Sequence, residues 1–184
     1  MKRVFDIAFV AAAALPTLVI VAICAAIIRL TSPGPAIFRQ ERLGRNEKPF
    51  VCLKLRTMYV DTGDHPSHEV GASAVTPCGR VLRRLKLDEL PQLWNVLVGD
   101  MSVVGPRPNL ASQKDLIEMR RQAGIFTVRP GVTGFTQVAG LDMSDPVKLT
   151  AFDVAYLQQM SLWTDLKVIV RTVLGAGRRD AAAQ

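Results

Sequence analysis

The chain begins with one long apolar segment and continues as short apolar runs separated by basic stretches rich in Gly and Pro. No charged residue occurs between Asp6 and Arg29, and the segment consists mainly of Ala, Val, Ile, Leu and Phe. As a helix it would extend about 33 Å, enough for a hydrocarbon core of about 30 Å. The pattern therefore predicts a membrane helix. A buried helix of a soluble protein is the less favoured alternative, because so long an apolar segment is costly in water.

A proline lies inside this segment, and basic residues flank it on both sides. Pro16 removes a backbone hydrogen bond and clashes one turn back, so the helix is expected to break at this point. Lys2 and Arg3 precede the segment, whereas Arg29 and further basic residues follow it. Because basic residues prefer the cytoplasmic side, a hairpin that enters and leaves by one face satisfies both flanks, while a straight span satisfies only one. Both topologies stay open on this evidence.

The rest of the chain predicts an α+β fold that is mainly helical with a small β element. Residues 36–38 and 50–53 are expected to form strands around a polar loop, and residues 61–79 a second loop. Helices are predicted at 80–87, from near 88 to 98, and at 110–124, 146–160 and 162–175. The last two are amphipathic, so they either cover the core or lie in the membrane interface. Residues 1–32 are thus the membrane element and residues 33–184 the remaining domain.

Composition narrows the classes of partner and site. Lys and Arg outnumber Asp and Glu by 23 to 16, and the net charge of +7 favours an anionic partner. The three cysteines are far apart and form no CxxC pair, which argues against a disulfide framework or a zinc cluster. His65 and His68 lie in a stretch rich in Gly, Pro and Ser, which is more typical of a solvated loop than of a metal pair.

The acidic pair Asp88-Glu89 stands just before Pro91 in a basic run that contains Arg83 and Lys86. Proline is tolerated in the first turn of a helix, so Asp88 is expected near a helix start. One interpretation is structural, with Asp88 as N-cap and Glu89 as a first-turn acid. The other is chemical, because a carboxylate serves as nucleophile or metal ligand and a helix N-terminus attracts phosphate.

Three further motifs present basic side chains from stiff or Gly-rich backbone. Arg107 lies between Pro106 and Pro108, and guanidinium groups suit bidentate phosphate binding. Arg129 precedes Pro130 and a Gly-rich turn, and Lys54 belongs to a basic strand end. A surface arginine, a tight turn and an exposed strand edge are the ordinary alternatives.

Ordered motifs along nearly the whole chain resemble the bacterial sugar transferase family, small monotopic phosphoglycosyl transferases that act on polyprenyl phosphate. The matching elements are Lys54-Leu55-Arg56-Thr57-Met58, the run from Leu87 to Leu93 with Asn95-Val96-Leu97 after it, Gly99-Asp100-Met101-Ser102, Gly105-Pro106-Arg107-Pro108, the run from Arg129 to Gly134, and Asp165-Leu166-Lys167.

The resemblance implies transfer of a sugar 1-phosphate from a UDP-sugar to polyprenyl phosphate (undecaprenyl phosphate), which gives the polyprenyl-diphosphate sugar and UMP in the first membrane step of glycoconjugate biosynthesis. It implies that Asp88 attacks the phosphorus next to the sugar and forms a covalent intermediate, with Mg²⁺ near Glu89 and Asp88. Phosphate contacts are then expected from Arg83, Arg107, Lys54 and Arg129.

The resemblance also implies a location and an architecture. A re-entrant, proline-broken membrane helix and interfacial helices would hold a catalytic domain, residues 33–184, on the cytoplasmic face of the bacterial inner membrane. Anionic membrane lipids are expected partners, and a homodimer is among the assemblies that it allows.

Three departures from the family pattern are visible: Leu15-Pro16 where Ser-Pro is common, Phe135 where Trp is common, and Gly140-Leu141 where Gly-Arg is common.

The competing hypothesis is a non-catalytic membrane scaffold that binds anionic lipid or nucleic acid through its basic face. The acidic pair argues against a purely basic footprint. The scarcity of aromatic residues beside Lys and Arg argues against nucleic acid, which is not an expected partner.

Overall fold

The computed structural model describes residues 1–60, 72–141 and 143–177. The predicted histidine loop and the C-terminal tail fall largely outside these residues, so neither His65 nor His68 is among them. Within the described chain the fold is mainly helical with two small sheets. The helices are α1 (Lys2–Thr31), α2 (Pro77–Arg84), α3 (Gln92–Val98), α4 (Lys114–Gln122), α5 (Phe135–Val138), α6 (Pro146–Gln158) and α7 (Leu162–Val173). The strands are β1 (Ile37–Leu43), β2 (Pro49–Leu55), β3 (Ser102–Val104) and β4 (Gly131–Thr133).

Helix α1 is long and apolar enough to cross a membrane, with a mean hydropathy of 2.6 in its most apolar window. Only 11% of that window is buried against the rest of the protein, unlike the core helix of a soluble protein. Helical residues continue through Pro16. This helix is consistent with a membrane-associated helix, while the bounds of the membrane element and the break at Pro16 stay predictions.

The first turns of α1 are held on the globular domain by charged and polar contacts. Lys2 Nζ lies 2.6 Å from Oδ2 of the buried Asp165. The carboxylate of Asp6, also buried, accepts hydrogen bonds from the Ser102 hydroxyl at 2.9 Å and from the backbone N–H of Val103 at 3.1 Å. The start of the apolar helix is thus bound to strand β3.

The last turns of α1 are held on the same domain by a buried arginine. Arg56, at the end of β2, donates through Nη2 to the carbonyl and the hydroxyl of Ser32, each at 2.9 Å. Cys24 and Ile28 pack there in an apolar cluster with Leu55 and further residues. Between these two docked ends, from residue 11 to residue 23, no side chain of α1 is buried.

Strands β1 and β2 form an antiparallel hairpin whose register pairs Gln40 with Cys52 and Arg42 with Phe50. Both strands were predicted but are longer than expected, and they enclose a 3₁₀ turn at Arg45–Glu47. Because directly paired residues point to the same side of a sheet, Gln40, Arg42, Cys52 and Lys54 share one face of the hairpin. That face borders the site described below.

The second sheet is a parallel pair in which Ser102 is opposite Gly131 and Val104 opposite Thr133. The backbones approach so closely that a Cβ on Gly131 would lie 2.0 Å from the nitrogen of Gly105. Only glycine therefore fits at this position. Around this ladder packs the main core, made of Val10, Cys52, Val96, Met101, Val103, Val104, Tyr156, Val168 and Ile169.

Helices α4, α6 and α7 follow the prediction closely, whereas α5 was not predicted and α2 and α3 start elsewhere than expected. Asp145 and Ser161 cap α6 and α7 through their side chains, which is consistent with the starts predicted at 146 and 162. Helix α2 starts at Pro77 rather than at 80, because Thr76 accepts a hydrogen bond from the Gly79 N–H and Pro77 suits the first helical position.

Candidate active site

The acidic pair lies in a tight turn between two short helices. After α2 ends, Lys86 adopts left-handed backbone with φ 56°, and Leu87–Glu89 form one 3₁₀ turn. Helix α3 begins only at Gln92, behind Pro91, and no side chain caps it. The expectation that α3 starts near Asp88 is therefore wrong, and Pro91 rather than Asp88 occupies the N-cap position of that helix.

Beside this turn lies a small cleft that opens to solvent. Its walls come from the hairpin, the acidic turn with the start of α3, the segment that follows β3, strand β4 and helix α5. The lining residues are Arg42, Cys52, Lys54, Glu89, Gln92, Arg107, Pro108, Gly131, Val132 and Gln137. Lys54, Glu89 and Arg107, predicted from separate motifs, thus meet in one place.

The centre of the cleft is an ion pair that remains accessible. Lys54 Nζ donates to Glu89 Oε1 at 3.1 Å, with the two side chains 21% and 24% exposed. Burial alone would raise the pKa of Glu89, but Lys54 and then Arg107 outweigh it, so the pKa is lowered. Glu89 is therefore an ionised carboxylate surrounded by cations at neutral pH.

Arg107 is presented from a segment whose backbone is held by two other arginines. Arg120 Nη1 donates to the Arg107 carbonyl at 2.8 Å and to Asn109 Oδ1 at 3.0 Å. Arg42 Nη1 donates to the next carbonyl, that of Pro108, at 3.0 Å. With prolines on both sides restricting the backbone, the position of Arg107 is determined by these contacts.

The arginine beneath this segment is itself fixed by a buried carboxylate. Arg120 is 1% exposed, and its Nε and Nη2 donate to Asp153 Oδ2 at 2.9 and 2.6 Å. Removing one partner of such a pair would leave an uncompensated buried charge. Helices α4 and α6 are therefore joined directly below the Arg107 segment.

Three predicted site residues do not line the cleft. Asp88 is buried in the acidic turn next to Glu89. Arg83 donates through Nε to the Thr57 hydroxyl at 2.9 Å. Arg129 donates through Nε to the Gly99 carbonyl at 2.7 Å, where it holds the loop before β3.

Several cleft residues were not predicted as site residues, among them Arg42, Gln92, Gln137 and Cys52. Arg42 could have been found from the alternation of polar residues at 40 and 42 against Lys54, had the hairpin register been known. Burial raises the pKa of the Cys52 thiol, despite the nearby cations, so it is a neutral wall of the cleft.

The donor set was compared with what a divalent cation requires. Among the described residues no group of three or more His, Cys, Asp and Glu could hold a metal. Magnesium commonly uses one or two carboxylates and completes its shell with substrate phosphates and water. Glu89, the carboxylate of the cleft lining, fits that second arrangement, whereas Asp88 is buried beside it.

Comparison with known proteins places these observations in a family context. A family model described as bacterial sugar transferase matches residues 1–179. The chain is 46% identical to a Caulobacter vibrioides protein named UDP-glucose:undecaprenyl-phosphate glucose-1-phosphate transferase, over 94% of this chain and 68% of that protein. It is 38% identical to the uncharacterized sugar transferase EpsL of Bacillus subtilis, over 94% of this chain and 85% of that protein.

A third relative is much longer than this chain. The Escherichia coli protein named UDP-glucose:undecaprenyl-phosphate glucose-1-phosphate transferase is 35% identical over 94% of this chain, but the match covers 39% of that protein. The shared part contains the apolar helix, the acidic turn and the Gly-rich segments, since the match extends over nearly all of this chain.

Proposed function

Since the chain belongs to the bacterial sugar transferase family, we propose that it transfers a sugar 1-phosphate from a UDP-sugar to undecaprenyl phosphate and releases UMP. The main support is the cleft in which Lys54 and Arg107 surround Glu89. Asp88 lies in the same turn as Glu89, and the same chain contains a membrane-length helix. Cations in that arrangement suit a diphosphate, and the helix suits a lipid acceptor.

Asp88 is the proposed nucleophile. One of its carboxylate oxygens forms a bond to the phosphorus next to the sugar, while the bond from that phosphorus to the UMP oxygen breaks and UMP leaves. An oxygen of undecaprenyl phosphate then attacks the same phosphorus, and the bond to Asp88 breaks. The free carboxylate and the lipid-diphosphate sugar result, so no net proton or electron is required.

The other site residues are proposed to stabilise phosphoryl charge during both displacements. Lys54 and Arg107 supply positive charge inside the cleft, where the effect is stronger than in water. Arg83, beside the acidic turn in sequence, is proposed as a further phosphate contact. Arg129, bonded to the Gly99 carbonyl, has the least support of the four.

Magnesium is the proposed cofactor, and Glu89 would hold it with Asp88 beside it. When bound, the ion would withdraw charge from the diphosphate oxygens and so favour departure of UMP. Glu89 meanwhile keeps Lys54 in place at 3.1 Å.

A re-entrant helix at the cytoplasmic face is proposed for residues 1–32, with residues 33–184 as the catalytic domain on that face. The support is that both ends of α1 contact one domain, through Asp6 with Ser102 and through Ser32 with Arg56. A helix that crossed a bilayer straight would place its ends on opposite sides. The basic flanks are those of a cytoplasmic location.

Helix α7 is proposed to lie in the interface of the same leaflet. It buries Asp165, Val168 and Ile169 but exposes a row of apolar side chains. These are Leu162, Trp163, Leu166, Val170 and Val173. An exposed apolar face with Trp is typical of an interfacial helix.

The reaction is tested by release of UMP from a panel of UDP-sugars in detergent with undecaprenyl phosphate and Mg²⁺. We expect release with at least one sugar, dependence on both lipid and Mg²⁺, and loss of about a thousandfold or more in Asp88→Asn with an unchanged melting temperature. Full activity of Asp88→Asn would exclude Asp88 as the nucleophile.

The intermediate is tested by incubating the enzyme with a UDP-sugar labelled in the sugar, without lipid, and denaturing it. Label should stay on the wild type and be absent from Asp88→Asn. Equal retention by both proteins would place the covalent bond elsewhere.

The topology is tested by a membrane-impermeant maleimide on Val4→Cys in intact cells, because Val4 is 72% exposed. The re-entrant helix predicts labelling only after the cells are opened, with the wild-type chain as the control for its own cysteines. Labelling in intact cells would refute this topology and favour a straight span.

A further inference from the structure

Arg42 reaches the cleft from an element that carries no predicted catalytic motif of its own. It lies on β1, opposite Phe50, and shares the hairpin face of Cys52 and Lys54. Both of those residues also line the cleft, as does Arg42 itself. The hairpin therefore contributes two cations to one wall.

The guanidinium of Arg42 is held in a defined orientation. Its Nε donates to Gln40 Oε1 at 2.9 Å, and Gln40 is only 4% exposed. Its Nη1 donates to the Pro108 carbonyl at 3.0 Å, directly after Arg107. Contacts on two sides reduce the rotamer freedom that anion binding would otherwise have to remove.

The charge of the cleft is not balanced by the residues that line it. Arg42, Lys54 and Arg107 are the cations of the lining, and Glu89 is its carboxylate. Lys54 already pairs with Glu89 at 3.1 Å. The lining therefore carries more positive than negative charge, which favours an anion with more than one negative charge.

We propose that Arg42 binds a phosphate group of the substrate together with Arg107, so that the anion is held by arginines from the hairpin and from the segment after β3. The identity of that substrate rests on the proposed function. The shared chemistry is a phosphate group, which either the UDP-sugar or the lipid phosphate supplies.

The direct test measures binding of inorganic pyrophosphate and of UDP by calorimetry to the full chain in detergent, without turnover. We compare the wild type, Arg42→Gln, Arg42→Lys and the control Arg45→Gln. Arg45 is an exposed arginine in the turn of the same hairpin and is absent from the cleft lining.

We expect Arg42→Gln to weaken pyrophosphate or UDP binding by about tenfold or more, as loss of a charge-assisted contact does. Arg42→Lys keeps the charge but loses the planar fork, so it should fall between Arg42→Gln and the wild type. Arg45→Gln should bind as the wild type does. Wild-type affinity of Arg42→Gln for both anions, together with wild-type lipid-phosphate kinetics, would overturn the proposal.

Steady-state kinetics separate the two sources of phosphate. A raised KM for the UDP-sugar, with the KM for undecaprenyl phosphate unchanged, assigns Arg42 to the nucleotide; the reverse assigns it to the lipid. A fall in kcat alone, with both KM values and pyrophosphate affinity unchanged, would show that Arg42 only fixes Pro108 and would overturn the proposal.

Failure of the proposed function gives a different result. If the wild type releases UMP from no UDP-sugar but Arg42→Gln still loses pyrophosphate affinity, the proposed reaction is wrong while Arg42 remains an anion-binding residue. If Arg42→Gln does not fold, the comparison of Arg42→Lys with the wild type decides, and equal pyrophosphate affinity would overturn the proposal.

Discussion

Glu89 and Lys54 meet in the open cleft, whereas Asp153 and Arg120 meet beneath it with both side chains 2% exposed. The two pairs have the same chemistry but different surroundings. In the cleft, cations lower the pKa of Glu89 and each partner remains accessible to a ligand. In the buried pair Arg120 donates through Nε and Nη2 to Asp153 Oδ2, and it uses its third nitrogen to hold the Arg107 carbonyl.

The cleft pair can therefore exchange partners with a ligand, whereas the buried pair stays formed. An accessible pair contributes little to stability, because water screens it. A buried pair is costly to break, because the remaining charge has no water and no partner. Loss of the cleft pair should therefore affect activity, and loss of the buried pair should affect folding.

The largest effect is expected for Arg120→Leu, which leaves Asp153 as a buried, unpaired carboxylate. We expect the free energy of unfolding to fall by about 3–5 kcal/mol, measured by denaturant titration in detergent. The double variant Arg120→Leu with Asp153→Leu should recover much of this loss, because no isolated charge remains.

The double variant also separates stability from positioning. The Arg107 carbonyl would still lack its donor, so UMP release should stay low although the protein is stable. Full activity of a stable double variant would show that Arg120 does not position Arg107.

The next effect is expected for Glu89→Gln in the cleft. UMP release should fall by about a hundredfold, because the amide has no charge with which to hold Lys54 or a divalent cation. The free energy of unfolding should change by about 1 kcal/mol or less. A destabilisation as large as that of Arg120→Leu would contradict the assignment of the cleft pair to function.

A smaller effect is expected on the pH dependence. Because the folded pKa of Glu89 is lowered below the ordinary value of 4.5, its charge and the stability that the charge contributes are present above that value. Both are lost as the pH falls through the lowered pKa. Lys54→Met removes the cation that lowers the pKa of Glu89 most, so that pKa should rise. In a plot of the rate of UMP release against pH, the fall on the acid side (the acid limb) should then move to higher pH.

The control for this shift is Lys48→Met, which removes an exposed lysine at the end of the hairpin turn. Its acid limb should coincide with that of the wild type. If the acid limb of Lys54→Met coincides with those of the wild type and Lys48→Met, Lys54 does not determine the ionisation of Glu89.

Sequence patterns predicted the parts of this molecule that depend on neighbouring residues. The long apolar run predicted α1, and helical periodicity predicted α6 and α7 at their observed starts. Lys54, Glu89 and Arg107 stood in motifs of basic or proline-rich residues, and their roles were implied by the family resemblance. The three line one cleft, while those roles stay predictions.

The parts that were missed depend on contacts between distant residues. Arg120 looks like one of several basic residues on an amphipathic helix, and only its contact with Asp153, 33 positions later, shows that it is buried. Arg42 could be placed beside Lys54 only once the register of the hairpin was known. The start of α3 was placed too early because Pro91 fits the N-cap as well as the first turn, and only the backbone of Lys86 and the 3₁₀ turn distinguish the two.

The smallest effect is expected for a third pair, at the surface, which tests whether exposure is the property that separates the other two. Arg121 donates to both carboxylate oxygens of Glu47, at 2.8 and 2.7 Å, with side chains 51% and 31% exposed. Despite this bidentate geometry, Arg121→Gln should leave the melting temperature and UMP release unchanged within error, since water and salt screen the pair. A clear fall in melting temperature would mean that bidentate geometry, and not burial, determines which ion pairs stabilise this fold, and the contrast between the cleft pair and the buried pair would need that explanation instead.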